Sequence, residues 1–293
     1  MTPRVRPMTI GQNASPTKAI LLAAVVLATP AHARGEPADT YYERAFVVAA
    51  DARCDLSEPH INAALTAATA QARGAALRSG AAEADLAAAA ARARSRAGSV
   101  PCGDPQLAMV RERVDNAFAG WARTPRMTFP GSRRPWTANR IGSDRPGWRL
   151  MQASSVGASP VRFGYAGKGE TAGLTAVVSF VGRSRPTAAR IVLRDPARAS
   201  RAWLAGDGLV PAWARASIWA TDTGSADPGL LAEDRRAGEA WRFPASAASA
   251  LERLDPRETF AVEFHFRDGS VATAQFEAGD FAAGRAFLAM GLL

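Results

Sequence analysis

The sequence predicts an α+β protein: a small N-terminal all-α bundle with one disulfide, then a mainly antiparallel β sandwich or barrel domain with a C-terminal helix. Three observations carry this. From Asp39 to Ala122 apolar residues recur at helical spacing between N-cap, Pro and Gly punctuation. From Trp148 to Gln275 short β-type runs alternate with Gly, Pro, Asp and Ser. The two cysteines, Cys54 and Cys102, fall just after the first helical segment and just before the fourth.

The first 33 residues read as an address. Arg4, Arg6 and Lys18 precede an apolar run from Ala19 to Leu27, followed by Pro30 and Ala31-His32-Ala33, the small-x-small pattern of signal-peptidase cleavage. Residues 1–33 are therefore expected to be a signal peptide cut after Ala33, with a periplasmic or secreted product. The run is shorter than the roughly 20 apolar residues that span a bilayer, and no other stretch approaches that length. No transmembrane helix is expected in the mature chain.

Residues 34–122 form the expected bundle. The first helix, over 40–53, places Tyr42, Phe46 and Ala49/Ala50 on one face. The second starts at Ser57 as N-cap, with Pro59 in its first turn and Ile61, Leu65, Ala68 and Ala72 in helical register; Gly80 ends it. A third covers about 82–97. The fourth opens with Asp104 as N-cap and Pro105 at N1, then aligns Leu107, Val110, Val114, Phe118 and Trp121. Alanine-rich faces bury little area, so a bundle of this size is marginal alone and gains from a Cys54–Cys102 staple in an oxidising compartment.

Residues 123–149 lose all periodicity and read as a basic Arg/Pro/Trp linker. They hold seven arginines and one acid, Asp144. Of the formal charge of +9, three belong to the leader and the linker supplies the remaining six. Arginine beside tryptophan grips anions, because guanidinium both pairs with carboxylate or phosphate and stacks on rings. The candidate contact residues are Arg126, Arg133, Arg134, Trp136, Arg140, Arg145, Trp148 and Arg149. The same composition also fits a loop whose aromatics pin it to both domains while its arginines stay solvated. Export disfavours nucleic acid, so the partner would be an envelope protein or an anionic envelope polymer.

Residues 150–293 form the β-rich domain, its first run reaching back to 148. Strands are expected near 148–153, 161–166, 174–181, 189–194, 214–221, 239–244, 259–266 and 270–277, with helices near 245–254 and 281–290, the latter capped by Asp280. In the last hairpin Phe260, Val262, Phe264 and Phe266 point one way, as do Ala272, Ala274 and Phe276. A two-residue Asp-Gly loop would pair even positions with odd and bury the wrong set. A three-residue loop, Arg267-Asp268-Gly269 with Gly269 left-handed, pairs Phe264 with Ala272. The same parity places His265 on the outward face.

Chemistry is scarce. Without the leader only His60 and His265 remain, and bonded cysteines leave no His/Cys metal set, so no metal or cofactor is expected. Gly167-Lys168-Gly169-Glu170-Thr171 lacks the spacing of a phosphate loop and reads as a hairpin connection. Asp222-Thr223-Gly224-Ser225, after a strand, resembles the active-site turn of aspartic proteases. Leu288-Ala289-Met290-Gly291-Leu292-Leu293 is similar to the apolar-apolar-Gly segment beneath that turn in the retroviral-type enzymes. The resemblance covers about ten residues. It implies a homodimeric peptidase, since the chain has no second Asp-Thr/Ser-Gly. The same four residues are also ordinary turn formers. The principal expectation is an exported, non-enzymatic envelope protein; the alternative is a peptidase built on Asp222, Thr223 and Gly224.

Overall fold

A computed structural model describes residues 37–182, 185–205 and 208–293, so the expected signal peptide lies outside the described residues. Four helices come first: α1 (Pro37–Cys54), α2 (Pro59–Arg78), α3 (Glu83–Ser99) and α4 (Pro105–Ala122). Asp104 caps α4 by accepting from the Gln106 amide at 2.8 Å, with Pro105 behind it. Ser57 does not cap α2. Glu58 holds that position without a side-chain bond, and the Ser57 amide instead donates to buried Asp51 in α1 at 2.7 Å. Gly80, at φ +103°, turns the chain out of α2. Cys54 and Cys102 are bonded, their Cα atoms 5.4 Å apart, which ties the end of α1 to the start of α4.

Among the described residues, eleven strands form two antiparallel sheets. These are β1 (Arg126–Phe129), β2 (Trp136–Asn139), β3 (Gly147–Val156), β4 (Ser159–Gly167), β5 (Gly173–Val178), β6 (Ala188–Arg194), β7 (Arg215–Trp219), β8 (Asp222–Ser225), β9 (Glu239–Arg242), β10 (Thr259–His265) and β11 (Val271–Glu277). One sheet runs β1-β2-β3-β4-β5-β9-β8, the other β11-β10-β6-β7. Helices α5 (Ala245–Glu252) and α6 (Phe281–Leu288) complete the fold. The sheets face each other across an aromatic core in which the Phe163 ring lies 5.3 Å from Phe260 and 5.4 Å from Phe276. Phe264 pairs with Ala272, and Gly269 at φ +81° closes a three-residue loop. The parity of the apolar residues therefore does set the register.

Two expectations are corrected. Residues 123–149 are not a linker: they contain β1, β2 and the start of β3. Helical and β parts are not separate domains either, since the described residues form one compact unit. The joint is α2, which carries Ala67 into the β core and lies against α6. Across that joint Arg78 pairs with both oxygens of Asp280, one bond at 2.9 Å. Asp280 sits at the N-cap position of α6 without a capping bond, because its carboxylate is committed to Arg78.

A second buried pair pins the segment after β6. Arg194 donates to both carboxylate oxygens of Glu258, at 2.6 and 2.9 Å, and Glu258 also accepts from the Trp203 and Asp255 amides. Such a pair holds because every lone pair it buries is satisfied.

Candidate functional site

The strands within 123–149 sort the eight predicted contact residues into three groups. Alternation along β2 turns Trp136 inward, where it is fully buried; its indole donates to the Glu277 and Ala278 carbonyls and its ring lies 5.0 Å from Phe281. Arg140, just after β2, is 2% exposed. It donates to the carbonyls of Ala122, the last residue of α4, and Thr124 beyond it, and of Met290 and Gly291 after α6. Helix C-termini leave carbonyls unpaired and carry partial negative charge, so one guanidinium closes two helix ends at once. Trp136 and Arg140 are thus structural and unavailable to a partner.

The second group sits at the β1–β2 turn. Arg133 and Arg134 are exposed, but Glu277 accepts both backbone amides, and the Arg134 guanidinium donates to Gln275 O at 2.7 Å and Ser154 Oγ at 3.1 Å. The third group lies at the opposite end of the hairpin. Arg126 and Arg145 are exposed and form no ion pair among the described residues. Arg126 and half-buried Trp148 line a shallow cleft of about 360 Å³, with the Trp148 indole fixed on the Leu230 carbonyl at 3.0 Å.

Arg149 belongs to none of these groups. In the β3–β4 ladder Trp148 faces Ala166 and Leu150 faces Tyr165, so Arg149 is the extra residue of a β-bulge. Bulges re-aim side chains, and this one buries a guanidinium at 7% exposure. Arg149 donates to the Ile141 carbonyl at 2.6 Å and pairs with no carboxylate among the described residues. Burial pushes its pKa below the ordinary arginine value. Arg140 is lowered likewise, first by burial and then by the charge of Arg149. Arg149 lines a second cleft of about 360 Å³ with Tyr165, Arg285, Leu288, Ala289 and Leu292. Arg285 pairs with Glu252 at 2.9 Å and lies over the Tyr165 ring at 5.4 Å. Burial raises the Tyr165 phenol, with the Arg285 charge opposing. Next to this cleft, and sharing Gly169 and Leu292 with it, lies a shallower hollow containing Lys168 and, on its rim, Asp144.

The sequence missed Tyr165 and Arg285, which only the contact of β4 with α6 brings to Arg149. The one available signal was Lys168, in a glycine-flanked connection and one of two lysines in the chain.

Asp222-Thr223-Gly224-Ser225 forms β8, an edge strand with all four residues exposed, and not a turn. Asp222 pairs with exposed Arg242 on β9. A proton-sharing carboxylate dyad needs a water-excluding cleft, and Asp222 lies on an open edge. His265 sits on the outer face of β10 against Trp219, with ring centroids 5.1 Å apart, and 3.6 Å from Glu263, itself bonded to Arg190 at 2.7 Å. Among the described residues no group of three His, Cys, Asp or Glu is placed to hold a metal ion, and no helix is long and apolar enough to cross a membrane.

Fold and site together define a disulfide-pinned helical layer joined to an antiparallel two-sheet core, with arginines on its first and third strands, Arg126 and Arg149, that pair with no carboxylate among the described residues. Comparison with family models, curated proteins and solved structures finds no match to this chain.

Proposed function

We propose that this chain is an exported, non-enzymatic protein that binds an anionic component of the cell envelope through the hairpin end carrying Arg126, Arg145 and Trp148. One observation carries the reading: of the eight predicted contact residues, Arg126 and Arg145 are the exposed arginines whose side chains make no hydrogen bond or ion pair among the described residues, and Trp148 shares a cleft with Arg126. Two solvated guanidiniums beside an indole fit a phosphate- or carboxylate-bearing polymer, the arginines supplying charge-assisted hydrogen bonds and the ring a stacking surface. The disulfide and the leader-like N-terminus support export.

The test is retention on anionic phospholipid vesicles and on lipopolysaccharide in low salt. A double variant, Arg126→Ser with Arg145→Ser, is expected to lose retention. The control, Arg92→Ser with Arg94→Ser on the exposed face of α3, removes the same charge and is expected to keep it. Equal retention by both variants overturns the reading.

A further inference from the structure

The cleft at Arg149 is a different site, independent of the exposed hairpin end, and four observations converge on it. A β-bulge in β3 delivers the arginine there. Arg149 is 7% exposed, and its guanidinium makes one bond to a carbonyl and meets no carboxylate among the described residues. Arg140 lies close enough for the two charges to repel, and four of its own five N–H groups are spent on helix-end carbonyls. The same cleft is lined by the apolar residues Leu288, Ala289 and Leu292 at and beyond the end of α6, and by Tyr165.

A buried cation without a counter-ion destabilises the fold unless an anion completes it. Hydrophobic substitution at this position would relieve that cost, so its presence calls for a reason outside stability. The cleft is charged at one end and greasy along its side, and its volume of about 360 Å³ lies near the lower end of the range for small-molecule sites, about 300–1,000 Å³. Arg285 adds little free charge, being paired with Glu252, while one cation and one anion, Lys168 and Asp144, line the neighbouring hollow.

We propose that this cleft binds a small organic acid, its carboxylate on the Arg149 guanidinium and its short apolar body along Leu288 and Leu292. The planar fork of arginine matches a carboxylate with two parallel hydrogen bonds, and the aliphatic wall selects a hydrocarbon over a sugar.

The test uses octanoate as the probe, titrated calorimetrically into the full chain at millimolar concentrations, with octanamide and inorganic phosphate as comparison arms. Octanoate is expected to bind and octanamide to bind at least about tenfold more weakly, the loss of one charge-assisted contact. Arg149→Met is expected to abolish octanoate binding while leaving thermal stability equal or higher, since it removes a buried unpaired charge. Leu292→Asp, at the exposed mouth of the cleft, places a carboxylate in the ligand's path and is expected to weaken binding by about tenfold or more. Absence of octanoate binding to the wild-type chain overturns the proposal. So does equal binding of octanoate and octanamide, or of octanoate to wild type and Arg149→Met. Phosphate binding without octanoate binding overturns the carboxylate assignment. An Arg149→Met chain that is strongly destabilised shows the arginine to be structural and also overturns it. None of these outcomes depends on vesicle retention, so the two readings fail separately.

Discussion

Replacing Gly74 by alanine tests how the helical layer is joined to the β core. In a helix interior that change ordinarily stabilises by about 0.8–1 kcal/mol, because glycine loses more backbone entropy. At Gly74 the sign reverses. A Cβ there would lie 1.9 Å from Oδ1 of Asp280, 2.9 Å from its Cγ and 3.1 Å from Nη1 of Arg78. Asp280 has no room to retreat: its amide donates to the Pro130 carbonyl at 2.8 Å, its carbonyl accepts from Gly284 at 2.9 Å, and its side chain is 1% exposed. The methyl group therefore displaces the carboxylate from Arg78. Breaking a buried ion pair costs about 3–5 kcal/mol. Arg78 retains access to water, which lessens the cost, and the helix gain offsets about 1 kcal/mol more. The net expectation is a loss of about 2–3 kcal/mol. Urea unfolding of wild type, Gly74→Ala and Gly120→Ala measures it. Gly120, in the last turn of α4, has nothing within 4 Å of an added Cβ and is expected to gain up to about 1 kcal/mol. A Gly74→Ala midpoint at or above wild type, with an unchanged slope, would refute the argument.

Two further predictions follow from the same physics. Replacing Cys54 and Cys102 together by serine is expected to lower stability by about 4 kcal/mol on the chain-entropy model, for a link between residues 48 apart, and an unchanged melting temperature counts against the staple. Burial pushes the Asp255 carboxyl up, but side-chain and backbone hydrogen bonds from Arg257 outweigh it and hold the group below its ordinary 3.8. Its contribution to stability is thus complete above 3.8 and lost as pH falls through the lower folded value. The melting-temperature gap between wild type and Asp255→Asn should shrink on acidification below 3.8, and a constant gap would contradict the linkage.

Where one face of an element is apolar at a clean period, the sequence was legible. Each of the eight predicted β runs overlaps an observed strand, and the Phe260–Phe276 hairpin has the register its alternation requires. The strands that escaped are short and lack such a face. β1 holds one fully buried residue, Phe129; β8 holds none; β2 buries Trp136 and Ala138 within an arginine- and proline-rich stretch. Sheet neighbours supply the hydrogen bonds that local propensity does not. Small residues hid the α2–α6 joint, since Ala67 and Gly74 signal close approach only once the facing element is known. Arg149 was legible as a cation but not as a buried one, because a bulge inverts the side-chain alternation by one position and leaves no trace in composition.

Charge arithmetic on the sequence describes one basic seam, whereas the fold divides it into parts that act on different scales. Arg126 and Arg133 stand at opposite ends of a hairpin whose strands are four residues long, about 10 Å apart along the strand. That distance is comparable to the Debye length in physiological salt, about 8 Å, so the two ends do not act as one patch. Arg140 carries no net pull on a partner, its field being met by the carbonyls at the ends of α4 and α6. Arg149 differs from the exposed arginines in being buried, so its field is screened less, and from Arg140 in having a single carbonyl partner. An exposed arginine pair yields contact that fades with ionic strength, while a buried unpaired one discriminates a carboxylate from its neutral amide. Salt dependence therefore distinguishes the two sites: vesicle retention should fall steeply with added salt, and octanoate affinity should change little.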